Sequence, residues 1–352
     1  MLKKILISLA LTLSVFFAFI IWVNGLIPPQ EQDFFTTMIS DLPYLQQLPK
    51  ESRGKILAVV TSTETIGDSG KATGYELTEL ARPYYTFLAN GFIVDIASPK
   101  GGKPPAVIDK DDMGPFDYAF LNDPEAQQKV NNSIPIDQVS AEDYQAVFFV
   151  GGKGAMFDFP DNPYIQTLVR DLYYSGKIIG AVCHGPAALA NVTLENGEPL
   201  ITDRQISAFT NEEELFLIPD APQRYPFLLE DRLREQGAIF QAGPTYLEQV
   251  SVDGQLVTGQ NPWSTWLTAE SMVKAMGYTP VPRQVTPAEQ TVELLLTYEQ
   301  RGFSEAAEEI QALQEKGELD QRLLAMHGVV SAMRREPRKT LDIIKLLSIS
   351  QE

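Results

Sequence analysis

The chain has 352 residues, enough for one large domain or two ordinary ones, and its apolar fraction of 44% supports a real core. A formal charge of -18 excludes a nucleic-acid binder, whose phosphate contacts need Lys and Arg. A single cysteine excludes an internal disulfide, and two histidines are too few for a zinc site built from several Cys and His.

At the N-terminus, Lys3 and Lys4 precede an uncharged, mostly apolar run from Ile5 to Val23. Signal-peptide apolar cores are ~7–15 residues, whereas a spanning helix needs about 20. The run therefore predicts a signal-anchor transmembrane helix over residues 1–25, with the membrane as a partner through residues 5–23. The lysines on the short side, and Glu31 and Asp33 beyond, place the N-terminus in the cytoplasm. The rest of the chain is then expected on the periplasmic side of a bacterial inner membrane. Residues 26–54, rich in Pro and polar residues, read as a tether.

From Lys55 the pattern changes. "KILAVVTST" (55–63) reads as a buried strand, "GYELTELARPYYTFLANG" (74–91) as a helix stopped by Asn90-Gly91, and "FIVDIAS" (92–98) as a strand. "DYQAVFFVGG" (143–152) is a third strand, "NPYIQTLVRDLYYSG" (162–176) a helix opened by Asn162-Pro163, and "KIIGAVC" (177–183) a fourth strand. Residues 199–210 and 246–260 read as strands, and 225–238 and 264–277 as helices. Continuous apolar strands alternating with helices predict a mainly parallel sheet covered on both faces, here a flavodoxin-like three-layer α/β sandwich over 55–282. Residues 283–352 predict a helical extension for docking or self-association, opened by a Thr286/Glu289 capping box; a homodimer is left open as a partner state.

"GAVCHGPAAL" (180–189) places the sole cysteine, Cys183, beside His184 where a buried strand meets a helix-compatible segment. A nucleophile on such a turn is presented at the carboxyl edge of the sheet, where ligands of open α/β sheets bind. A following helix would direct its positive end at the sulfur and favour thiolate. His184 exchanges a proton near neutral pH. His327 lies far along the chain in the extension, which leaves His184 as the histidine to assist Cys183.

Together with "TGYELTELARPYYTF" (73–87), "GGKGAMFDFP" (151–160), "AFTNEEE" (208–214) and "DGQLVTGQNPWST" (253–265), this stretch resembles the PfpI-like superfamily of the class I glutamine amidotransferase-like fold. Within it, the likeness is to the glyoxalase III and heat-inducible chaperone group, over about residues 55–277. The resemblance implies Cys183 as nucleophile, His184 as its partner, Glu79 as a carboxyl touching the sulfur, and Glu214 as the acid that orients the histidine. Glu212 and Glu213 are adjacent alternatives to Glu214. It also implies that Gly152 offers a backbone N–H to an oxyanion together with the N–H of His184, that Gly151 and Gly154 of the same loop belong to this oxyanion and substrate-binding region, and that Asn261 lies near the site. No histidine occurs between His184 and His327, so the downstream histidine of the glutamine amidotransferases is missing, as are the extra histidines by which some relatives bind zinc.

The resemblance thus implies a glutathione-independent glyoxalase acting on a small 2-oxoaldehyde such as methylglyoxal through a Cys183 hemithioacetal, with neither metal nor organic cofactor. Other readings stay open at this point: a protein deglycase using the same atoms, a membrane-tethered holdase chaperone, a cysteine peptidase or amidase, and a redox sensor.

Overall fold

The computed structural model describes residues 34–350 apart from 47, 50 and 111. The chain divides into two compact units, one over Phe34–Gln284 and one containing residues 285–350.

The larger unit is built on a seven-stranded sheet. Its strands are β1 (Lys55–Val59), β2 (Ile93–Ser98), β3 (Ile134–Pro135), β4 (Ala146–Phe149), β5 (Ile178–Val182), β6 (Val250–Asp253) and β7 (Leu256–Gly259), in the order β6-β7-β5-β4-β1-β2-β3. All neighbouring pairs are parallel except the β6–β7 hairpin. β1 shows why such strands read as unbroken apolar runs. Ile56 and Ala58 enter one core, with helices α1 (Leu77–Ala89) and α4 (Thr265–Ala275), while Leu57 and Val59 enter the opposite core with α2 (Pro163–Tyr174). This is the three-layer arrangement expected of a parallel sheet buried on both faces.

Three local expectations differ. The segment 246–260 is a hairpin rather than one strand, because Gly254, at φ 60, turns the chain between β6 and β7. Within 199–210 only Gln205–Ile206 forms strand. The segment after Cys183 makes a single 3-10 turn, Gly185–Ala188, instead of a helix. Upstream of β1, Leu42 and Leu45 are buried in the core beside α1, so this part of the tether packs on the domain.

The unit beyond residue 285 contains four helices: α5 (Pro287–Arg301), α6 (Phe303–Lys316), α7 (Gln321–Met333) and α8 (Pro337–Ile349). Thr286 and Glu289 form the capping box at the start of α5. Leu294, Leu295, Ile310, Leu324, Ile343 and Leu346 are buried in this unit.

The expected N-terminal spanning helix requires correction. Residues 5–23 lie outside the described residues, and among the described residues no helix is long and apolar enough to cross a membrane. Crossing a hydrocarbon layer of ~30 Å takes about 20 apolar residues. The longest described helix, α5, has 15 and carries Glu289, Glu293 and Glu299. The fold is α/β with a helical unit, and the membrane partner and the membrane-anchored, periplasmic placement lose their structural support and are withdrawn.

Candidate active site

Cys183 follows β5 directly and adopts φ 58, in the left-handed region that side chains avoid. Strain of this kind costs ~1–3 kcal/mol and persists only where the surroundings over-determine it. Here Cys183 N–H donates to Gly259 O at 3.0 Å, and Cys183 O accepts from Phe209 N–H at 2.9 Å. The sulfur therefore sits at the carboxyl edge of β5, between the ends of β4 and β7.

Glu79 lies in the first turn of α1 and is wholly buried. A Cβ added to Gly151 would fall 2.2 Å from Glu79 Oε2 and 2.8 Å from Cys183 Cβ, so only glycine lets all three meet. Burial first, then the neighbouring Glu76 carboxylate, push the Glu79 carboxyl well above its ordinary range, against pulls from the Cys183 sulfur, the Gly151 backbone and Lys153. The contacts to sulfur and backbone fall short of full hydrogen-bond geometry, and neither Glu79 oxygen has another partner among the described residues. A buried carboxyl without a full hydrogen bond calls for an explanation beyond packing.

The thiol responds to the same surroundings. Burial, then Glu79 and Glu76, push the Cys183 thiol well above its usual value, with Lys153 opposing. The sequence expectation of a thiolate stabilised by a following helix is thereby corrected. A single 3-10 turn, Gly185–Ala188, stands where the helix was expected, and burial with the two carboxyls raises the thiol. The surroundings therefore favour the thiol over the thiolate.

His184 lies beside this thiol. Cys183 Sγ lies 3.3 Å from His184 Nδ1, and His184 Nε2 lies 2.5 Å from Glu214 Oε2. With Nε2–H donating to the carboxylate, Nδ1 is left to accept the thiol proton; the network assigns this tautomer. Burial works to raise the Glu214 carboxyl, yet His184, Lys153 and Tyr225 together hold it below its ordinary range. The Phe209 ring lies over the imidazole with centroids 4.6 Å apart. The neighbouring glutamates sort themselves by position on α3 (Asn211–Leu217): Glu212 is exposed, Glu213 is buried toward residues 260–261, and Glu214 meets His184.

Gly152 has φ 104, and a Cβ there would fall 2.3 Å from Gly74 O, so glycine lets this loop press on the segment leading into α1. The N–H groups of Gly152 and His184 donate to no acceptor among the described residues. Gly154 packs against Thr61 and Thr63 at the end of β1. Asn261 is engaged elsewhere: its amide donates to Glu213 Oε1 and Leu247 O, and its oxygen accepts from Trp263 N–H. No group of three or more potential metal ligands is arranged to hold an ion among the described residues.

Sequence reasoning missed Glu76 and Lys153, which act on both reactive groups. Burial, reinforced by Asp112 and Asp109 and opposed by Lys153, pushes the Glu76 carboxyl up to about 7. The signals were present, since Glu76 stands three residues before Glu79 and Lys153 sits within the glycine-rich "GGKG".

Residues 71–207 match the model of the DJ-1/PfpI family. A glutathione-independent glyoxalase of Schizosaccharomyces pombe is 32% identical over 217 residues, covering 59% of this chain and 90% of that protein. Among solved structures, a 24 kDa rapid encystment protein of Francisella tularensis superposes with a TM-score of 0.60 at 35% identity, over 63% of this chain and 99% of that one. Glyoxalase III of Candida albicans superposes with a TM-score of 0.58 at 29% identity, over 63% and 97%.

Proposed function

The chain belongs to the DJ-1/PfpI family, and from that premise we propose that it is a glutathione-independent glyoxalase of the glyoxalase III type, a cofactor-independent lyase that converts a small 2-oxoaldehyde to a 2-hydroxy acid. The observation that carries the site assignment is the single thiol of Cys183 held between the Glu79 carboxyl and the His184 imidazole. The near-complete burial of Cys183 favours a small substrate.

His184 Nδ1 takes the thiol proton as the sulfur adds to the aldehyde carbon, and the proton passes to the new alkoxide to give a hemithioacetal. Glu79, in its ionised form, removes the hydrogen from that carbon, and the freed electron pair forms an enediolate with the adjacent carbonyl. A carboxyl whose pKa is raised by burial is a stronger base for this step than an exposed one. The unspent N–H groups of Gly152 and His184 are candidates to hold the developing oxyanion. A proton moves from the first oxygen to the second, and Glu79 returns its proton to the second carbon, leaving a thioester on Cys183. Water adds to the thioester, the carbon–sulfur bond breaks, and the thiol is restored with release of the hydroxy acid. With methylglyoxal the product is lactate.

The test is lactate formation from methylglyoxal by the purified full-length chain without glutathione. Turnover is expected in the wild type, with Cys183→Ser reduced to the uncatalysed rate. Glu79→Gln is expected to lose at least about a hundredfold, the usual scale for a positioned proton-transfer group. Equal rates for wild type and Cys183→Ser would overturn the reading.

A further inference from the structure

Glu213 takes no part in the chemistry above, yet it is fully buried and accepts five hydrogen bonds. Its Oε1 receives Tyr246 N–H at 2.8 Å, Gln260 Nε2 at 3.0 Å and Asn261 Nδ2 at 2.9 Å. Its Oε2 receives the N–H and hydroxyl of Thr210 at 3.1 and 3.0 Å. Three separate stretches of chain thus converge on one carboxylate, and every partner is a donor. An amide in its place would face donors whichever way it turned, so the position requires a carboxylate rather than merely a polar side chain.

Two paths lead from this carboxylate to His184. The first runs through the backbone. Glu213 N–H donates to Thr210 Oγ1 at 3.1 Å and Glu214 N–H donates to Thr210 O at 2.9 Å, fixing the first turn of α3 and with it the Glu214 carboxylate on His184 Nε2. The second runs through the rings. Tyr246 has φ 56 and is held there by its N–H to Glu213 Oε1 and by its hydroxyl, which donates to Glu213 O at 3.0 Å. Its ring packs on Phe209, at 6.4 Å, and Phe209 lies on the imidazole.

We propose that Glu213 is a positioning residue of the glyoxalase site: its buried carboxylate ties the loops at Tyr246 and Gln260–Asn261 to the start of α3 and so sets the alignment of Glu214 and Phe209 on His184. The inference rests on the glyoxalase reading for its kinetic consequence. Its geometric claim concerns His184 alone.

The experiment is a double-mutant cycle of Glu213→Gln with Glu214→Gln in the full-length chain, read by steady-state kinetics and by NMR titration of the His184 ring, one of only two histidines in the chain. Glu213→Gln is expected to lower kcat roughly tenfold to a hundredfold, the scale of a small misplacement at a reacting centre, with KM changed by less than about threefold. Once Glu214 is Gln, the further change at 213 is expected to add little, and the single Glu213→Gln variant is expected to shift the His184 titration in the same direction as Glu214→Gln. Multiplicative losses in kcat, or a His184 titration identical to wild type, would overturn the inference. If Glu213→Gln does not fold, Gln260→Met, which removes one of the five donors, carries the same cycle with a smaller effect and the same overturning outcomes. Absence of turnover in the wild type would sink the glyoxalase reading and leave the NMR arm to decide the positioning role.

Discussion

At the scale of single residues, burial and neighbouring acids raise Glu76, Glu79 and Cys183, whereas His184 helps hold Glu214 ionised. Glu76 is the adjustable member, because its carboxyl titrates at about 7 while it raises both Glu79 and Cys183. Below that pH Glu76 is neutral and has little Coulombic effect. Above it the new charge holds Glu79 and the thiol protonated longer. Glu76→Gln removes that charge, so both groups titrate at lower pH than in the wild type. The rising limb of kcat/KM against pH is then expected to move toward acid. The variant and wild type converge below neutrality, and the variant runs roughly 2–5-fold faster above it until both level off. A profile unchanged by the substitution would show that Glu76 does not reach the reacting pair. These effects explain why the charge state was illegible in sequence. The Cys183–His184 pair stands out as neighbours in a chain poor in both, but the thiol is pushed up by burial and then by Glu79 and Glu76, brought from a stretch far back in the sequence.

At the scale of elements, the site is a junction between the carboxyl ends of adjacent parallel strands and the start of α1. The strands were legible because "KILAV", "AVFF" and "IIGAV" are buried on both faces and so lack polar interruptions. The hairpin of β6 and β7 was not, since Gly254 sits in an alternating pattern that a single strand also satisfies. Nor were the helices Pro115–Asn122 and Pro124–Asn131, short pieces with a proline at the first position and too few turns to show a period. Glu79 carries no local signal of a role and was reached through resemblance alone. The tightness of the junction gives a prediction. A Cβ on Gly185 would fall 2.2 Å from Phe149 O, a backbone atom of β4 that cannot step aside, whereas Gly114 has open space. Gly185→Ala is expected to cost about 1–3 kcal/mol or more through overpacking, lowering Tm by roughly 2–4 °C per kcal/mol, and to depress turnover by moving the Cys183 turn. Gly114→Ala is expected to stay within about 0.5 kcal/mol. Calorimetry on the two variants separates them, and equal Tm values would show that the turn after Cys183 has slack.

At the scale of the whole molecule, the two units answer to different chemistry, and pH separates them. In the helical unit His327, on α7, is buried, and that burial, helped by the Lys339 charge, lowers its pKa to about 4 from an ordinary value of 6.5. The sign follows from linkage. Unfolded chain binds a proton at His327 below about pH 6.5, while the folded unit resists until near 4, so protons favour the unfolded state across that window. Stability of this unit is therefore expected to be constant above about pH 7 and to fall as pH drops from 6.5 toward 4, by at most about 3 kcal/mol from this one group. His327→Leu removes the titration, so its unfolding free energy is expected to fall less steeply over the same interval, whatever the variant's absolute stability. Because a chain with two compact units need not unfold in one step, the measurement must resolve the units. Hydrogen exchange of the α7 and α8 amides between pH 7 and 5 does so, once corrected for the intrinsic pH dependence of exchange. Protection in α7 and α8 should fall with acid in the wild type and fall less in His327→Leu, while β4 and β5 serve as the internal reference. Parallel loss of protection in wild type and variant would assign the acid sensitivity to the unit's carboxylates instead of to His327.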